Sequence, residues 1–338
     1  MNKDNPLIEF YYMELTNTQL NVFVDKIRLK SENMSKYREQ LENLKNKLDN
    51  KIKEDKRTGL KVTKFIIAGS WKKHTILKPT GDNPIDIDLV LFVEGDEKIQ
   101  DDLKKLHDFI VEYLEEIYPQ KDINRDVDAE GNTKSITIKF SGTGLEVDIV
   151  PVVPLSTPKE YVWQPQRGGR GKYITSVSKQ LDFSADLRRN NVSYTSIVRA
   201  LKWWRNYKEL HPTDDEPGLS SFAIELIVGY LDVNHGVENN IEEGIIRFFQ
   251  FISCPDFPII KFRDAIKSVP TFETPIYIAD NTNNENNVVR KLTKSKWKEV
   301  VAEAEEAFDT LNIAESRKGE GATVDEWKRI FGPTFNIK

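Results

Sequence analysis

The stretch KFIIAGSWKKHTILKPTGDNPIDIDLVLFV, residues 64–93, contains the pattern that decides the fold. An apolar run ends at the small pair Gly69-Ser70, and a second apolar run carries Asp86 and Asp88. Each run predicts a β-strand. Side chains two positions apart on a strand project from the same face, about 6.5–7 Å apart along the backbone. The stretch therefore predicts two carboxylates that face one space.

Two carboxylates this close repel each other unless a positive group lies between them, and a hard divalent cation with oxygen ligands is the common solution. A partner strand follows in residues 144–150, GLEVDIV, where Asp148 can complete a cluster of three and Glu146 is a weaker candidate on the same face. Three aspartates can hold two Mg²⁺ ions, while the Gly69-Ser70 turn offers N–H groups and a hydroxyl to a phosphate. Asp-x-Asp alone would instead favour a surface strand with solvated aspartates.

This combination resembles the signature of the DNA polymerase β-type nucleotidyltransferase superfamily. That signature is a hydrophobic residue, Gly-Gly or Gly-Ser, a spacer, Asp-x-Asp, and a third Asp on a later strand. The spacer here, residues 71–85, is longer than the usual form, and residues 78–84 predict a loop inserted before the second strand. The resemblance implies that Asp86, Asp88 and Asp148 are catalytic and bind metal, namely two Mg²⁺ ions for which Mn²⁺ can substitute.

Outside this stretch, the first half of the chain alternates helical and strand patterns. Apolar residues at three- and four-residue steps from Met34 to Leu48 predict a long amphipathic helix. Residues 96–118 predict another helix, and residues 135–150 predict a hairpin that delivers the third aspartate. The outer face of the long helix could touch nucleic acid, although a solvated face is the preferred interpretation; its basic residues are Lys45, Lys47, Lys51, Lys53 and Lys56.

From about residue 192 the pattern changes to helices, and three segments there narrow the resemblance. They are TSIVRALKWWRNY (195–207), LSSFAIEL (219–226) and DNTNNENNV (280–288). With them, nearly the whole chain is similar to oligoadenylate-synthetase and cGAS/DncV-like nucleotidyltransferases. It is most similar to the bacterial branch, the CD-NTases, which makes cyclic oligonucleotide signals in anti-phage defence.

Carried over by position, this resemblance implies nucleotide-binding roles for Gly69, Ser70, Lys202, Ser221 and Phe222. Lys202 and Ser221 would contact the donor triphosphate, and Phe222 would stack on the nucleobase. The alternatives are a solvated lysine, a helix cap and a core phenylalanine. Lys202 also belongs to a basic stripe with residues 199 and 205, which can meet triphosphate oxygens or water.

The resemblance also implies an α+β fold class. A polymerase β-like lobe with a mixed central sheet and a long N-terminal helix would occupy residues 1–190. A mostly helical nucleotide-binding lobe would occupy residues 191–338, with the active site in the cleft between them. Near the end of the second lobe, Thr323 and Glu326 form a capping-box pattern that predicts the start of a final helix.

The implied activity is the joining of ribonucleoside triphosphates, with ATP among them, into a cyclic di- or trinucleotide second messenger with release of pyrophosphate. A downstream effector would read the product, and the resemblance leaves room for a regulatory protein partner. Two other functions stay open. One is nucleotide transfer to a linear RNA or protein acceptor, and the other is nucleotide binding on a catalytically inactive fold.

Composition limits the partners further. The chain has 338 residues, 49 basic against 54 acidic, and a net charge of −5, so no global positive field indicates nucleic-acid binding. The single cysteine, Cys254, excludes the zinc-binding insertion of the animal DNA sensor, and its apolar neighbours predict a buried thiol. We therefore expect no obligatory DNA or RNA activator. The N-terminus lacks a signal-peptide pattern and no apolar run approaches 18 residues, so we expect a cytoplasmic protein without membrane contact.

Overall fold

The structure is a computed structural model. It describes residues 15–80, 84–95, 102–121, 123–127, 133–165, 171–213, 216–237, 240–317 and 319–338. Part of the predicted loop at 78–84 and the start of the helix predicted at 96–118 lie outside these ranges, as does the N-terminal segment on which the expected location depended.

Within the described residues, the first half of the chain combines four α-helices with seven strands. In order they are α1 (Asn17–Ile27), α2 (Met34–Glu54), β1 (Lys61–Ile67), α3 (Gly69–Lys72), β2 (Ile85–Glu94), α4 (Leu103–Ile117), β3 (Ile123–Val127), β4 (Thr133–Phe140), β5 (Leu145–Pro154), β6 (Val162–Pro165) and β7 (Lys172–Thr175). The second half is mostly helical. It contains α5 (Val177–Asn190), α6 (Tyr194–Tyr207), α7 (Ser221–His235), α8 (Ile241–Ile252), β8 (Ala279–Asp280), β9 (Asn283–Asn287), α9 (Lys294–Ser316) and α10 (Glu320–Phe331).

The central sheet is mixed and has the spatial order β1-β2-β5-β4-β3, with β6 and β7 attached through β5. Strands β2 and β5 run parallel to each other, and the other pairs along that order are antiparallel. This arrangement confirms the predicted α+β class with a mixed sheet, a long N-terminal helix and a helical C-terminal part.

Alternation along β2 and β5 assigns the two faces of the sheet different roles. Ile85, Ile87, Val147 and Ile149 are buried in a core with helices α2 and α4, and the residues between them project from the opposite face. That opposite face is itself buried farther along the strands, where Val90, Phe92, Val150 and Val152 pack with Ala68, Val162 and Val177. The acidic residues therefore lie at the accessible end of a face whose other end is covered.

Helix α1 packs with the second half of the chain. Its buried residues Leu20, Phe23, Val24 and Ile27 belong to the same apolar core as Leu201 on α6. The four residues recur at three- and four-residue steps, so they form one apolar stripe that needs a partner. The division at residues 190 and 191 stays a prediction, with α1 contributing to the helical core.

Two local predictions were wrong. Thr323 does not open a helix, because α10 begins at Glu320 and the buried Thr323 hydroxyl donates to the Ala314 and Gly319 carbonyl oxygens. Cys254 is exposed, because it lies in the turn just after α8 and not on the apolar face of that helix. None of the helices in the described ranges combines the length and apolar character that a bilayer crossing requires.

Candidate active site

The structure places the predicted acidic residues side by side. In the parallel pairing of β2 with β5, Asp88 is the register partner of Asp148, and Asp86 is the partner of Glu146. Paired residues of adjacent strands project from the same face, and neighbouring strands lie about 4.8 Å apart. The two strands thus bring together side chains that are sixty positions apart in sequence.

Strand β4 provides a partner for each of the two acidic residues of β5. The Thr137 hydroxyl on β4 donates to Asp148 Oδ1, which orients that carboxylate. Lys139 Nζ lies 2.9 Å from Glu146 Oε1, so Glu146 is held by a neighbouring cation. Sequence reasoning missed both contacts, because they follow from the β4–β5 register. The ranking of Glu146 as the weaker candidate stays a prediction.

The Gly69-Ser70 turn lies directly against Asp88. The Ala68 N–H donates to the Asp88 carbonyl oxygen at 2.8 Å. Gly69 has φ +58°, and a Cβ at this position would lie 1.6 Å from Asp88 Oδ2. Glycine is therefore required twice, for the left-handed backbone and for the space beside the carboxylate. A phosphate held by the turn would be next to the acidic face.

The donor set fits a hard divalent cation. The side chains offer carboxylate oxygens at the accessible end of the sheet face, and the absence of a Cβ at Gly69 lets Asp88 Oδ2 lie against the turn. Over the described ranges, no three His, Cys, Asp or Glu side chains are already gathered around one point that could hold a metal ion. The carboxylates share a face and a register, and cation binding would require their side chains to turn toward one another.

Lys202 is buried, with 4% of its surface exposed, and its Nζ donates to the Thr75 carbonyl oxygen at 3.1 Å. The solvated-lysine alternative is therefore wrong. The pKa of Lys202 is lowered to about 8, mainly by burial and also by the charges of Arg205 and Lys73, while Glu225 and Asp88 oppose the shift. The electrostatic coupling to Asp88 indicates that this ammonium group lies near the acidic face.

A buried carboxylate on α7 connects the two halves of the site. Glu225 Oε2 accepts from Lys73 Nζ at 2.8 Å, and Glu225 Oε1 accepts from the Thr75 hydroxyl at 2.8 Å. Burial raises the pKa of Glu225, but the charges of Lys73 and Lys202 outweigh burial and leave the pKa below its usual value. We call Lys73, Thr75, Lys202 and Glu225 the Glu225 junction. Of these residues, sequence reasoning singled out Lys202.

Ser221 is the first residue of α7, and its Oγ accepts from Arg205 Nη1 at 3.1 Å. The capping residue of that helix is Ser220, whose hydroxyl accepts from the Ala223 N–H. Arginine is only a donor, so the Ser221 hydroxyl keeps its own hydrogen for another acceptor. Arg205 is itself buried and also donates to the Leu219 carbonyl oxygen, which fixes its direction.

Phe222 is partly buried against the helical core, and Lys73 Nζ lies 4.3 Å from the centre of its ring. The third residue of the predicted basic stripe, Arg199, donates to the His74 carbonyl oxygen at 2.6 Å. The stripe therefore does not simply face water. The base-stacking role of Phe222 stays a prediction, as do the roles of the aspartates, the turn, Lys202 and Ser221.

Comparison with known proteins assigns the family. A model of the Second Messenger Oligonucleotide or Dinucleotide Synthetase (SMODS) domain matches residues 13–191. The chain is also 32% identical over 327 residues to the CBASS oligonucleotide cyclase CdnC of Escherichia coli strain KTE188, across 96% of this chain and 99% of the relative. The chain belongs to the SMODS family. The predicted resemblance to bacterial cGAS/DncV-like nucleotidyltransferases is thereby confirmed.

Other SMODS relatives extend the likeness to structure. The cyclic AMP-AMP-AMP synthase of E. coli strain MS 115-1 is 30% identical over 320 residues, across 92% of this chain and 94% of the relative. Solved structures of E. coli MS115-1 CdnC, one with ATP and one in a complex with HORMA-deltaN, have TM-scores of 0.77 and 0.76. Both are 27% identical and cover 95% of this chain, with 99% and 98% of the solved chains covered.

Proposed function

We propose that this protein is a nucleotidyltransferase that joins ribonucleoside triphosphates into a cyclic oligonucleotide for anti-phage signalling. The observation that carries the proposal is the register of β2 against β5, which pairs Asp88 with Asp148, while Gly69 lies against the Asp88 carboxylate. The family and the two relatives named as an oligonucleotide cyclase and a cyclic AMP-AMP-AMP synthase support the same chemistry.

In the reaction, the hydroxyl of one nucleotide attacks the α-phosphorus of another, a new phosphodiester bond forms, and the bond to pyrophosphate breaks. Asp86, Asp88 and Asp148 would hold divalent cations, two Mg²⁺ ions with Mn²⁺ as a substitute, which when bound neutralise phosphate charge and make the attacking hydroxyl more acidic. Thr137 keeps the Asp148 carboxylate oriented throughout.

The remaining residues bind and orient the triphosphate. The Gly69-Ser70 turn donates N–H groups and a hydroxyl to phosphate oxygens, and Ser221 donates the hydrogen that Arg205 leaves free. Lys202 supplies a positive charge from the helical side. Because these donors come from both halves of the chain, binding orients the leaving pyrophosphate between them.

ATP is the proposed first substrate, since the CdnC structure with ATP is so similar in fold. The relative that makes cyclic AMP-AMP-AMP supports a ring built from adenosine nucleotides, of either two or three. The CdnC complex with HORMA-deltaN supports a regulatory protein partner. A downstream effector would then bind the cyclic product.

The test is incubation of the purified protein with labelled ATP, GTP, CTP and UTP and Mg²⁺ or Mn²⁺, followed by phosphatase treatment and mass analysis. We expect phosphatase-resistant cyclic products that disappear in the D86A/D88A double variant. Label that becomes phosphatase-sensitive, or that attaches to RNA or protein, would assign the linear-transfer function instead. Nucleotide binding without pyrophosphate release would assign the inactive-fold function. Activity that survives the double change would remove the basis of the proposal, because the aspartates would then not be catalytic.

A further inference from the structure

The two sides of the proposed triphosphate pocket come from separate parts of the fold. Gly69 and Ser70 are the first residues of α3, between β1 and β2, whereas Lys202 and Ser221 lie on helices α6 and α7. Triphosphate binding by both sides requires a fixed spacing between them, because donors misplaced by about 1 Å lose most of their effect. The question is which residue sets that spacing.

Glu225 is positioned to do so. The chain leaves α3 at Lys72, and within three residues Lys73 and Thr75 both bond to the Glu225 carboxylate. Thr75 also accepts from Lys202 through its carbonyl oxygen. All four residues of the Glu225 junction are at least 94% buried. The Glu225 carboxylate thus connects the segment after Ser70 to α7, and the Thr75 carbonyl oxygen connects the same segment to Lys202 on α6.

Stability alone does not explain why a charged carboxylate is buried at this position. Burying an ion pair costs desolvation that its mutual attraction only partly offsets, so apolar residues of similar volume would serve a core at least as well. Helix α7 contains a matched case, since Asp232 is equally buried and pairs with Arg247 Nη2 at 2.7 Å. Glu225 differs from Asp232 in that its partners come from the segment beside the active-site turn.

We propose that Glu225 is a positioning residue for nucleotidyl transfer, which fixes the spacing between the Gly69-Ser70 turn and the helices that carry Lys202 and Ser221. The inference rests on the proposed function in that the ligand is a nucleoside triphosphate. It adds a residue that touches no substrate and acts through Lys73, Thr75 and Lys202.

The electrostatic consequence has a defined sign. Four groups act on the Lys202 charge: Glu225 from α7, Lys73 from the segment after α3, Asp88 from β2, and Arg205 from the same helix. Lys202 has a pKa of about 8, so it is charged below that pH and loses its charge above it. Triphosphate affinity contributed by Lys202 is therefore present below about pH 8 and falls above it, by up to about tenfold per pH unit.

Removing one charged partner of Lys202 should shift the pH at which ATP affinity falls. The direction of the shift depends on the sign of the charge removed. The E225Q variant removes the negative charge that raises the pKa of Lys202, so the loss of affinity should begin at lower pH. The K73M variant removes a positive charge that lowers the same pKa, so the loss should begin at higher pH. The E225D variant keeps the charge and should retain the wild-type position of the fall.

The experiment is calorimetric titration of the full chain with Mg²⁺ and α,β-methylene-ATP, an ATP analogue whose α–β bridge is not broken by nucleotidyl transfer, from about pH 6.5 to 9.5, for wild type, E225Q, E225D, K73M and D232N. Thermal unfolding scans identify folded variants. The D232N control removes an equally buried charge from the same helix, and its pH profile should match that of wild type. At pH 7, E225Q should bind the analogue about tenfold more weakly than D232N, because the pocket spacing is lost.

The proposal is overturned if E225Q and D232N have the same affinity and pH profile, or if E225Q and K73M move the profile in the same direction. Should E225Q fail to fold, E225D decides the outcome, because aspartate keeps the charge but shortens the side chain. It should keep the wild-type pH position of the fall and bind the nucleotide more weakly than D232N at pH 7. Because the analogue binds without turnover, this result is independent of the proposed function. A wild-type protein that binds ATP but releases no pyrophosphate would remove only the latter.

Discussion

Charge is arranged differently in two regions of the molecule, the acidic face on β2 and β5 and the Glu225 junction. On the acidic face, like charges share the accessible end of a sheet, with Asp88 beside Asp148. In the junction, charges of both signs are buried and each is hydrogen bonded. Like charges held together favour a cation from solution, whereas a buried mixed network holds the protein in one arrangement. In the proposed function, the first region performs the chemistry and the second region aligns it.

The sharpest separation of the two regions comes from the D88N variant. Its amide keeps the shape of the side chain but loses the charge that binds a cation, so product formation should fall by at least about 1000-fold. The melting temperature should stay the same or rise, because one repulsive charge is removed. Labelled-ATP turnover and thermal unfolding measure the two effects.

The E146Q variant is the control for that change, because Glu146 shares the acidic face but is paired with Lys139. We expect turnover within a few-fold of wild type. A loss as large as that of D88N would mean that Glu146 also binds the cation, and the candidate site would then contain four carboxylates.

For the Glu225 junction we expect the opposite of the D88N result, because a change there should lower the stability of the protein. The E225A variant leaves the Lys73 ammonium buried without its carboxylate, which should lower the free energy of unfolding by about 3–5 kcal/mol. Urea denaturation measures this loss. If E225A is as stable as wild type, the junction is not a fixed arrangement, and the contrast between the two regions fails.

The G69A variant tests the point where the turn meets the acidic face. Its Cβ would overlap Asp88 Oδ2 in addition to straining a backbone at φ +58°. Gly59 has a similar φ of +64° with nothing within 4 Å of the added atom, so G59A isolates the strain. We expect G59A to lose about 1 kcal/mol of stability, and G69A to lose more and to lose turnover as well. Equal effects in both variants would show that the space beside Asp88 is not needed.

Arg205 and Ser221 offer a smaller and more local effect. Removing the Arg205 guanidinium in R205M should raise the Michaelis constant for ATP by about tenfold, which is the value of one well-placed hydrogen bond to a charged group. In an S221A background the same change should have much less effect, because Arg205 would act through the Ser221 hydroxyl. Additive losses in the double variant would assign the two residues separate roles.

The smallest effect is expected on the outer face of α2. Lys45 and Lys53 pair with Glu42 and Asp49 on the same helix, as a solvated face would. The K45A/K53A variant should change the free energy of unfolding by no more than about 0.5 kcal/mol. Its turnover should equal that of wild type with and without added double-stranded DNA. A turnover that requires DNA in wild type and is lost in the variant would assign nucleic-acid contact to this helix.

Local pattern was sufficient wherever a structure depends on residues close together in sequence. The apolar steps from Met34 predicted the start of α2, and alternation predicted which side of β2 carries Asp86 and Asp88. The same logic failed at Thr323, where a capping-box pattern lies inside α10. The hydroxyl at that position bonds to Ala314 on the preceding helix, and local pattern contains no information about that helix.

The sequence by itself determined the strands, the turn, the spacing of the acidic residues and the family, because each follows from the periodicity of the side chains or from a short motif. Only the tertiary structure decided that Asp148 lies beside Asp88 with Thr137 as its partner, and that Lys202 is buried near Glu225 rather than solvated. The physical reason is that strand register and helix packing join residues from distant parts of the chain. Burial among these residues then lowers the pKa of Lys202, and no local sequence pattern predicts that shift.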